Sequence, residues 1–72
     1  GFGRSFYFSG NLLFDGIWKN GSKVQGLYFL EDGTIRYNGY FLNDLYHNYG
    51  RLFNENGQVE SQGIWWQGKL LY

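Results

Sequence analysis

The chain has 72 residues, and its six Lys and Arg are balanced by six Asp and Glu, so net charge gives no basis for binding nucleic acid. It has no cysteine and a single histidine, which excludes disulfides and thiolate metal sites. Aromatic residues make up 24% of the chain, glycine occurs 12 times and proline is absent. This composition is typical of strands joined by tight turns and predicts an all-β fold.

The glycines recur at fixed spacings along the chain. Separations of seven, six and five residues repeat three times, and Asp44 stands in the one position that lacks glycine. The period is 23 residues and then 24, because one extra residue lies between Asp44 and Gly50. The spacing predicts three repeats, approximately 3–25, 26–49 and 50–72. The repeat glycines are Gly3, Gly10, Gly16, Gly21, Gly26, Gly33, Gly39, Gly50, Gly57, Gly63 and Gly68.

Side chains alternate between two faces within each repeat, which is the period of a β-strand. In the first repeat one face carries Leu12, Phe14, Gly16 and Trp18, and the other carries Leu13, Asp15, Ile17 and Lys19. The first face continues with Ile35, Tyr37, Gly39 and Phe41, and then with Val59, Ser61, Gly63 and Trp65. A further aromatic column consists of Phe6, Phe29 and Phe53. Glycine between two aromatic residues leaves room for neighbouring rings to lie over bare backbone.

The turns follow the same period. Asn20-Gly21, Asp32-Gly33 and Asn56-Gly57 predict two-residue hairpin turns, because both residues of each pair tolerate positive φ. Each repeat is then a strand, a turn, a strand and a second turn. Stacked repeats predict a single-layer antiparallel meander over approximately residues 11–70, in which each hairpin covers the apolar face of its neighbour. His47 is expected in an irregular loop at 44–49.

The repeat resembles a known family. Residues 14–21 match the pattern Tyr-x-Gly-x-Trp-x-x-Gly with Phe14 and Trp18 in the aromatic positions, 37–44 match it with Phe41 for Trp, and 61–68 lack the leading aromatic residue. Over essentially its whole length the chain resembles MORN (membrane occupation and recognition nexus) repeat proteins. The resemblance implies an elongated, twisted, single-layer sheet that acts as a scaffold. Because the sequence does not begin with Met, the array is expected to be an excerpt of a longer chain.

Two sets of apolar residues are candidate partner contacts. Trp18, Phe41 and Trp65 form either an exposed stripe for a helix or peptide, or a core in which they pack on each other and on Phe6, Phe29 and Phe53. The opposite face carries Ile17, Tyr40, Leu42, Ile64 and Trp66, an apolar set that needs a cover. The expected cover is a protein partner, further repeats of the same chain or a second copy of it.

The lead hypothesis is a non-catalytic scaffold or protein-interaction module in an intracellular, cytoplasmic setting, with a cytoskeletal, ciliary or membrane-associated role implied by the resemblance. One alternative is phosphoinositide or membrane-surface binding, with Arg4 and Arg51 as candidate ligands for lipid phosphates or as ordinary solvated charges. This alternative requires Arg4, Arg51, Lys19 and Lys23 to converge on one face. Another is the regulatory part of an enzyme whose catalytic domain lies elsewhere. No cofactor, metal site or catalytic residue is expected, because no motif surrounds His47 or the serines.

Overall fold

The computed structural model describes residues 1–72 as seven antiparallel strands in one open sheet. The strands are β1 (Phe2–Phe6), β2 (Leu12–Lys19), β3 (Ser22–Phe29), β4 (Ile35–Leu42), β5 (Leu45–Phe53), β6 (Val59–Trp66) and β7 (Lys69–Leu70). Their order in the sheet is their order in the chain, and the molecule measures 34 × 32 × 15 Å. The predicted all-β, single-layer meander of hairpins is confirmed, and the sheet begins earlier than expected, at Phe2. The structure has no helix, and so none with the length and apolarity needed to cross a membrane.

Six glycines form a continuous row across the first six strands. Each lies directly opposite the next in the strand pairing, and the row runs Gly3, Gly16, Gly26, Gly39, Gly50 and Gly63. Directly opposite residues point to the same face of a sheet, so the row leaves a trough without side chains across that face. The spacing of these glycines in the sequence is therefore set by the pairing register of the sheet.

The tight turns between paired strands each have two residues with positive φ. They are Asn20 and Gly21 (53° and 80°), Asn43 and Asp44 (52° and 64°), and Gln67 and Gly68 (49° and 88°). Such values belong to the type I′ turn, whose twist matches that of the flanking strands. Asp44 takes the position that glycine holds in the other two turns. Aspartate tolerates the left-handed region better than most residues, which explains the single exception in the glycine spacing.

The turns at Asp32-Gly33 and Asn56-Gly57 are wider than the sequence predicts, so the expectation of two-residue turns there is wrong. Only the glycines have positive φ, 95° at Gly33 and 81° at Gly57. The Gly33 amide donates to the Leu30 carbonyl at 3.0 Å, and the Asp32 carboxylate accepts hydrogen bonds from the Thr34 amide and hydroxyl at 2.9 and 2.7 Å. These bonds lower the pKa of Asp32. They also favour a turn that ends in a left-handed glycine.

A third wide turn precedes β2, where Gly10 has a φ of 95° and its amide donates to the Tyr7 carbonyl at 2.9 Å. Each of the three wide turns is followed by a β-bulge at the same place in the repeat. The pairing register skips one residue on the strand after the turn, and the skipped residues are Leu13, Arg36 and Glu60. A bulge redirects side chains locally. Leu13 accordingly packs against the buried aromatic cluster, so the prediction that it lies on the opposite face is wrong.

The extra residue of the second repeat is absorbed inside β5. Between the pairs Gly39–Gly50 and Phe41–Tyr46, β4 has one residue and β5 has three. Asn48, the middle one of the three, has a φ of 62° and so adopts a left-handed conformation that asparagine tolerates. The predicted loop at 44–49 is therefore wrong. The neighbouring His47 belongs to the strand.

Candidate functional site

The glycine row separates the side chains of the sheet into two faces. We name the face with the glycine row, Phe14, Tyr37, Phe41 and Trp65 the ring face, and the opposite face the reverse face. Because side chains alternate along a strand, the residues immediately before and after each row glycine lie on the reverse face.

The ring face holds the core of the protein. Phe14 and Tyr37 are completely buried, and Phe41, Leu52 and Trp65 are nearly so. The Phe41 ring meets Phe14 and Tyr37 edge to face, with centroid distances of 5.4 and 5.1 Å. Such aromatic pairs contribute about 0.5–1.5 kcal/mol beyond the burial of their area. The Trp18, Phe41 and Trp65 column is therefore part of this core, with Trp18 half-buried at its edge.

The aromatic column has other packing partners than the predicted Phe6, Phe29 and Phe53. Phe6 is exposed, Phe29 and Phe53 are half-buried, and all three lie outside the buried cluster. Each of these phenylalanines follows a row glycine by three residues, so strand alternation places it on the opposite face from the rings. The row beside the glycines on the ring face runs Ser5, Phe14, Tyr28, Tyr37, Leu52 and Ser61 across the sheet.

Aromatic rings lie over the glycine row, as the sequence predicts. A Cβ atom added to Gly3 would come within 3.0 Å of the Trp18 ring, and one added to Gly26 within 2.8 Å of the Phe14 ring. The indole Nε1 of Trp65 donates to the carbonyl oxygen of Gly50 at 3.0 Å. The glycine trough is therefore filled by rings and fixed by an indole hydrogen bond.

A second layer of side chains covers two of these rings. Tyr46 stacks on Tyr37 with a centroid distance of 3.9 Å and an angle of 8°. One repeat earlier Lys23 takes the equivalent place over Phe14, with its Nζ 5.6 Å from the ring centroid, a cation–π contact. Burial raises the pKa of Tyr37 to about 12, an effect to which the neighbouring Tyr46 adds. Burial also raises the pKa of Tyr46, by less than it raises that of Tyr37.

A shallow groove of about 400 Å³ opens on the ring face beside this second layer. It is lined by Lys23, Tyr28, Phe41, Asp44, Leu45, Tyr46 and Gly68. Lys23 Nζ and Asp44 Oδ1 lie 3.5 Å apart, so the two charges largely offset each other. The volume is at the small end of the range for ligand pockets, about 300–1,000 Å³.

The reverse face carries two rows that flank the glycines. The polar row runs Arg4, Asp15, Leu27, Asn38, Arg51 and Gln62, each opposite the next. The other row runs Phe2, Ile17, Gln25, Tyr40, Tyr49 and Ile64, with the Asn48 bulge between the two tyrosines. Apart from Gln25 its side chains are apolar or aromatic, and most are exposed.

Six apolar and aromatic residues of the reverse face make up what we name the reverse-face patch, which the exposed Gln25 of β3 interrupts between Ile17 and Tyr40. Its members are Ile17, Tyr40, Leu42, Tyr49, Ile64 and Trp66. Trp66 is 54% and Leu42 50% exposed, and only Ile64 is half-buried. The sequence identified all of them except Tyr49. The available signal was its position before Gly50, which is the position of Gln25 before Gly26, but the predicted loop at 44–49 concealed it.

The four cations of the lipid-binding alternative are divided between the two faces. Arg4 and Arg51 lie in the polar row of the reverse face, four strands or about 19 Å apart. Arg4 pairs with Asp15 at 3.5 Å. Lys19 lies on the reverse face and Lys23 on the ring face, so the four do not converge on one phosphate-sized site.

Polar side chains form no cluster that suggests chemistry. His47 lies on the reverse face beside Trp66, with ring centroids 4.9 Å apart, and its buried Nδ1 has no hydrogen-bond partner. No hydrogen bond joins His47 to a hydroxyl group. No three His, Asp or Glu side chains gather as metal ligands do. The reverse face therefore offers mainly apolar and aromatic contact area.

Comparison of the chain with protein-family models, with curated proteins and with solved structures found no match. The repeat is instead evident in the structure itself, because equivalent glycines, turns and bulges recur at intervals of 23 and 24 residues. The candidate site is likewise defined by geometry. It consists of a ring face closed by its own side chains and a reverse face whose apolar patch is open.

Proposed function

We propose that this chain is a non-catalytic protein-interaction module of the MORN type, which holds a protein partner against the reverse-face patch. The observation that carries the proposal is the difference between the two faces. The ring face buries most of its large aromatic side chains, whereas the reverse face leaves Ile17, Tyr40 and Trp66 exposed. Exposed apolar patches on small proteins commonly mark partner sites.

The architecture supports a partner on the reverse face. A sheet ordinarily buries at least one face against another layer, and here the ring face meets that need with its own side chains. The reverse face has no such layer. Trp66 and the two tyrosines of the patch belong to the residue types that contribute most of the binding energy in protein interfaces, because they bury a large area with few rotatable bonds.

The ring face is less suited to be the main contact. Phe41 and Trp65 can reach a partner only by leaving the cluster that stabilises the fold, and Tyr37 lies below Tyr46. The groove beside Lys23 is shallow, and the charges of Lys23 and Asp44 that line it largely offset each other. A scaffold that holds a partner on one face and is stabilised by the other agrees with the role that the MORN resemblance implies in cytoplasmic and cytoskeletal assemblies.

Photo-crosslinking of the full chain in its source cells tests the proposal. A photoreactive phenylalanine analogue replaces Tyr40 in the patch, and in a matched variant it replaces Phe8, which is fully exposed at the tip of a wide turn. We expect the same cross-linked protein to be recovered from position 40 in independent preparations, and no such product from position 8. Introducing Ile17→Lys with the probe at position 40 should abolish the product.

The variants must stay folded for this comparison to count. Ile17 and Tyr40 lie outside the buried cluster, so their replacement should leave the unfolding midpoint within a few degrees of the parent protein. Equal crosslinking from positions 8 and 40, or none from position 40 in a folded chain, would contradict the proposed function.

A further inference from the structure

The charges of this neutral chain are segregated within the fold. Three of its six cations form ion pairs, namely Arg4 with Asp15, Lys23 with Asp44 and Arg36 with Glu60. The cations without an acidic partner are Lys19, Arg51 and Lys69. The acidic residues without a basic partner are Glu31, Asp32 and Glu55, all in the wide turns at one end of the strands.

All three unpaired cations border the reverse-face patch. Lys19 follows Ile17 by two residues on the same face, and Arg51 follows Tyr49 in the same way. Lys69 is the cross-strand partner of Trp66. All three side chains are exposed, so the patch is edged by positive charge on its first strand, β2, on β5, and on β7 beside its last strand, β6.

The patch has the dimensions of a helix that lies across the strands. From Ile17 on β2 to Ile64 on β6 it crosses four strand spacings, about 19 Å. Tyr40 and Leu42 are two residues apart on β4, which makes the patch two side-chain rows deep, about 7 Å along the strands. A helix of about 13 residues has that length, and its apolar stripe has a similar width.

We propose that the reverse-face patch receives an amphipathic helix of a protein partner, in which Asp and Glu residues flank the apolar stripe and face Lys19, Arg51 and Lys69. This inference rests on the proposed function and specifies the chemistry of the partner. The apolar stripe packs on Tyr40, Trp66 and their neighbours. The acidic flanks meet cations that have no partner within the protein.

A helix fits this surface better than an added strand or a membrane. A strand joins a sheet through backbone groups at its edge, whereas the patch lies on the face of the central strands. An anionic membrane surface is ordinarily recognised by clusters of about four to eight basic residues. The patch has three, and the unpaired Glu31, Asp32 and Glu55 on the same molecule would be repelled by such a surface.

Titration of the full chain with two model peptides tests the inference. Both are amphipathic helices of about 15 residues with one leucine stripe, flanked by Glu in one peptide and by Lys in the other. Amide chemical shifts and tryptophan fluorescence report binding. We expect the Glu peptide to bind with shifts confined to the reverse face. The Lys peptide should bind about tenfold more weakly, as three partly screened ion pairs allow.

Charge reversal provides the matched comparison. A chain with Lys19→Glu, Arg51→Glu and Lys69→Glu should prefer the Lys peptide, while Lys23→Glu on the ring face should leave the preference for the Glu peptide unchanged. An amide spectrum with the parent dispersion shows that each variant is folded. Equal binding of both peptides, binding of neither, or binding to anionic vesicles in place of the Glu peptide would overturn the inference.

Failure of this inference is distinguishable from failure of the proposed function. If the peptides do not discriminate but position 40 still cross-links to a protein in cells, the patch binds a partner of other chemistry. If position 40 yields no product either, the proposed function itself is lost.

Discussion

The hydroxyl group of Tyr37 lies over the backbone of Gly50, in the space that a Cβ atom at position 50 would occupy. Tyr37 belongs to β4 and Gly50 to the neighbouring strand β5. The ring reaches across the strand pair, and its hydroxyl donates to the Tyr40 carbonyl at 3.1 Å. The ring of Tyr37 is completely buried, and glycine at position 50 leaves the space that its hydroxyl group fills.

Replacing Gly50 by alanine should destabilise the protein strongly. The added methyl group would overlap the Tyr37 ring as well as its hydroxyl, so the ring must move out of the cluster. Forcing extra volume into a packed core usually costs about 1–3 kcal/mol, a large part of the stability of a domain of this size. Urea unfolding followed by tryptophan fluorescence measures the loss as a lower midpoint at an unchanged slope.

Gly1→Ala is the matched control for that substitution. A Cβ atom at position 1 would meet no other atom within 4 Å, and Gly1 has no positive φ. The free energy of unfolding of the Gly1→Ala variant should differ from that of the parent protein by no more than about 0.5 kcal/mol. Equal effects at the two positions would show that the glycine row does not accommodate the rings.

Replacing Trp65 by phenylalanine should cost more stability than the same change at Trp18. Trp65 Nε1 donates to the Gly50 carbonyl, whereas the buried Nε1 of Trp18 has no acceptor. Loss of a hydrogen bond and of buried ring area at Trp65 predicts a difference of about 1–2 kcal/mol in the free energy of unfolding. Slower indole N–H exchange at Trp65 than at Trp18 would attribute part of that difference to the hydrogen bond. Similar exchange rates would contradict it.

Stability should fall in alkaline solution through the ionisation of Tyr37. Its pKa is 10.0 in the unfolded chain and about 12 in the folded protein, where burial disfavours the phenolate. The stability that neutral Tyr37 contributes is therefore fully present below pH 10. It is lost as the pH rises from 10 to 12, because the tyrosine releases its proton at lower pH in the unfolded state. We expect a decrease on the order of 1–2 kcal/mol from this residue.

Unfolding of the parent protein and of Tyr37→Phe across this pH range isolates the effect. The variant loses the hydrogen bond to Tyr40 at every pH, which lowers its stability by a constant amount. Tyr46 also has a raised pKa and remains in both proteins. The difference between the two curves should therefore shrink between pH 10 and 12. A constant difference would contradict a buried, neutral Tyr37.

Much of the fold could be predicted from the sequence, because its glycines carry two kinds of information at once. Those in the row across the sheet mark the register, and Gly21 and Gly68 mark the tight turns. The wide turns were not predicted correctly. The sequence Asp32-Gly33 is typical of a type I′ turn. Its conformation, however, depends on the hydrogen bonds from Thr34 to Asp32, which become evident only in three dimensions.

The candidate site was predicted in part. Strand alternation identified Ile17, Tyr40 and Trp66 on one face, but alternation alone does not say which face the rings close over. The structure answers this through Tyr46, which covers Tyr37, and no period in the sequence indicates that contact because Lys23 holds the equivalent position. The cationic border of the patch was also concealed, since it depends on which charges pair across strands.

Deleting Asn48 should leave the fold intact. This residue is the extra one in β5, and its removal gives the second repeat the same spacing as the first, in which two residues separate Lys23 from Gly26. The left-handed residue at φ 62° would disappear, and the pairing of Gly39 with Gly50 need not change. We expect the free energy of unfolding to stay within about 1 kcal/mol of the parent value.

Deleting Asn38 from the middle of β4 is the contrasting experiment. No bulge lies at this position, so removing one residue moves every later side chain of the strand to the opposite face. Either Tyr37 or Phe41 must then leave the ring cluster, and the glycine row is broken at Gly39. This deletion should abolish cooperative unfolding and collapse the dispersion of the amide spectrum. If both deletions unfold the chain, or neither does, the register is not held by the glycine row. If only the Asn48 deletion is tolerated, then the row fixes the pairing and β5 merely accommodates a surplus residue.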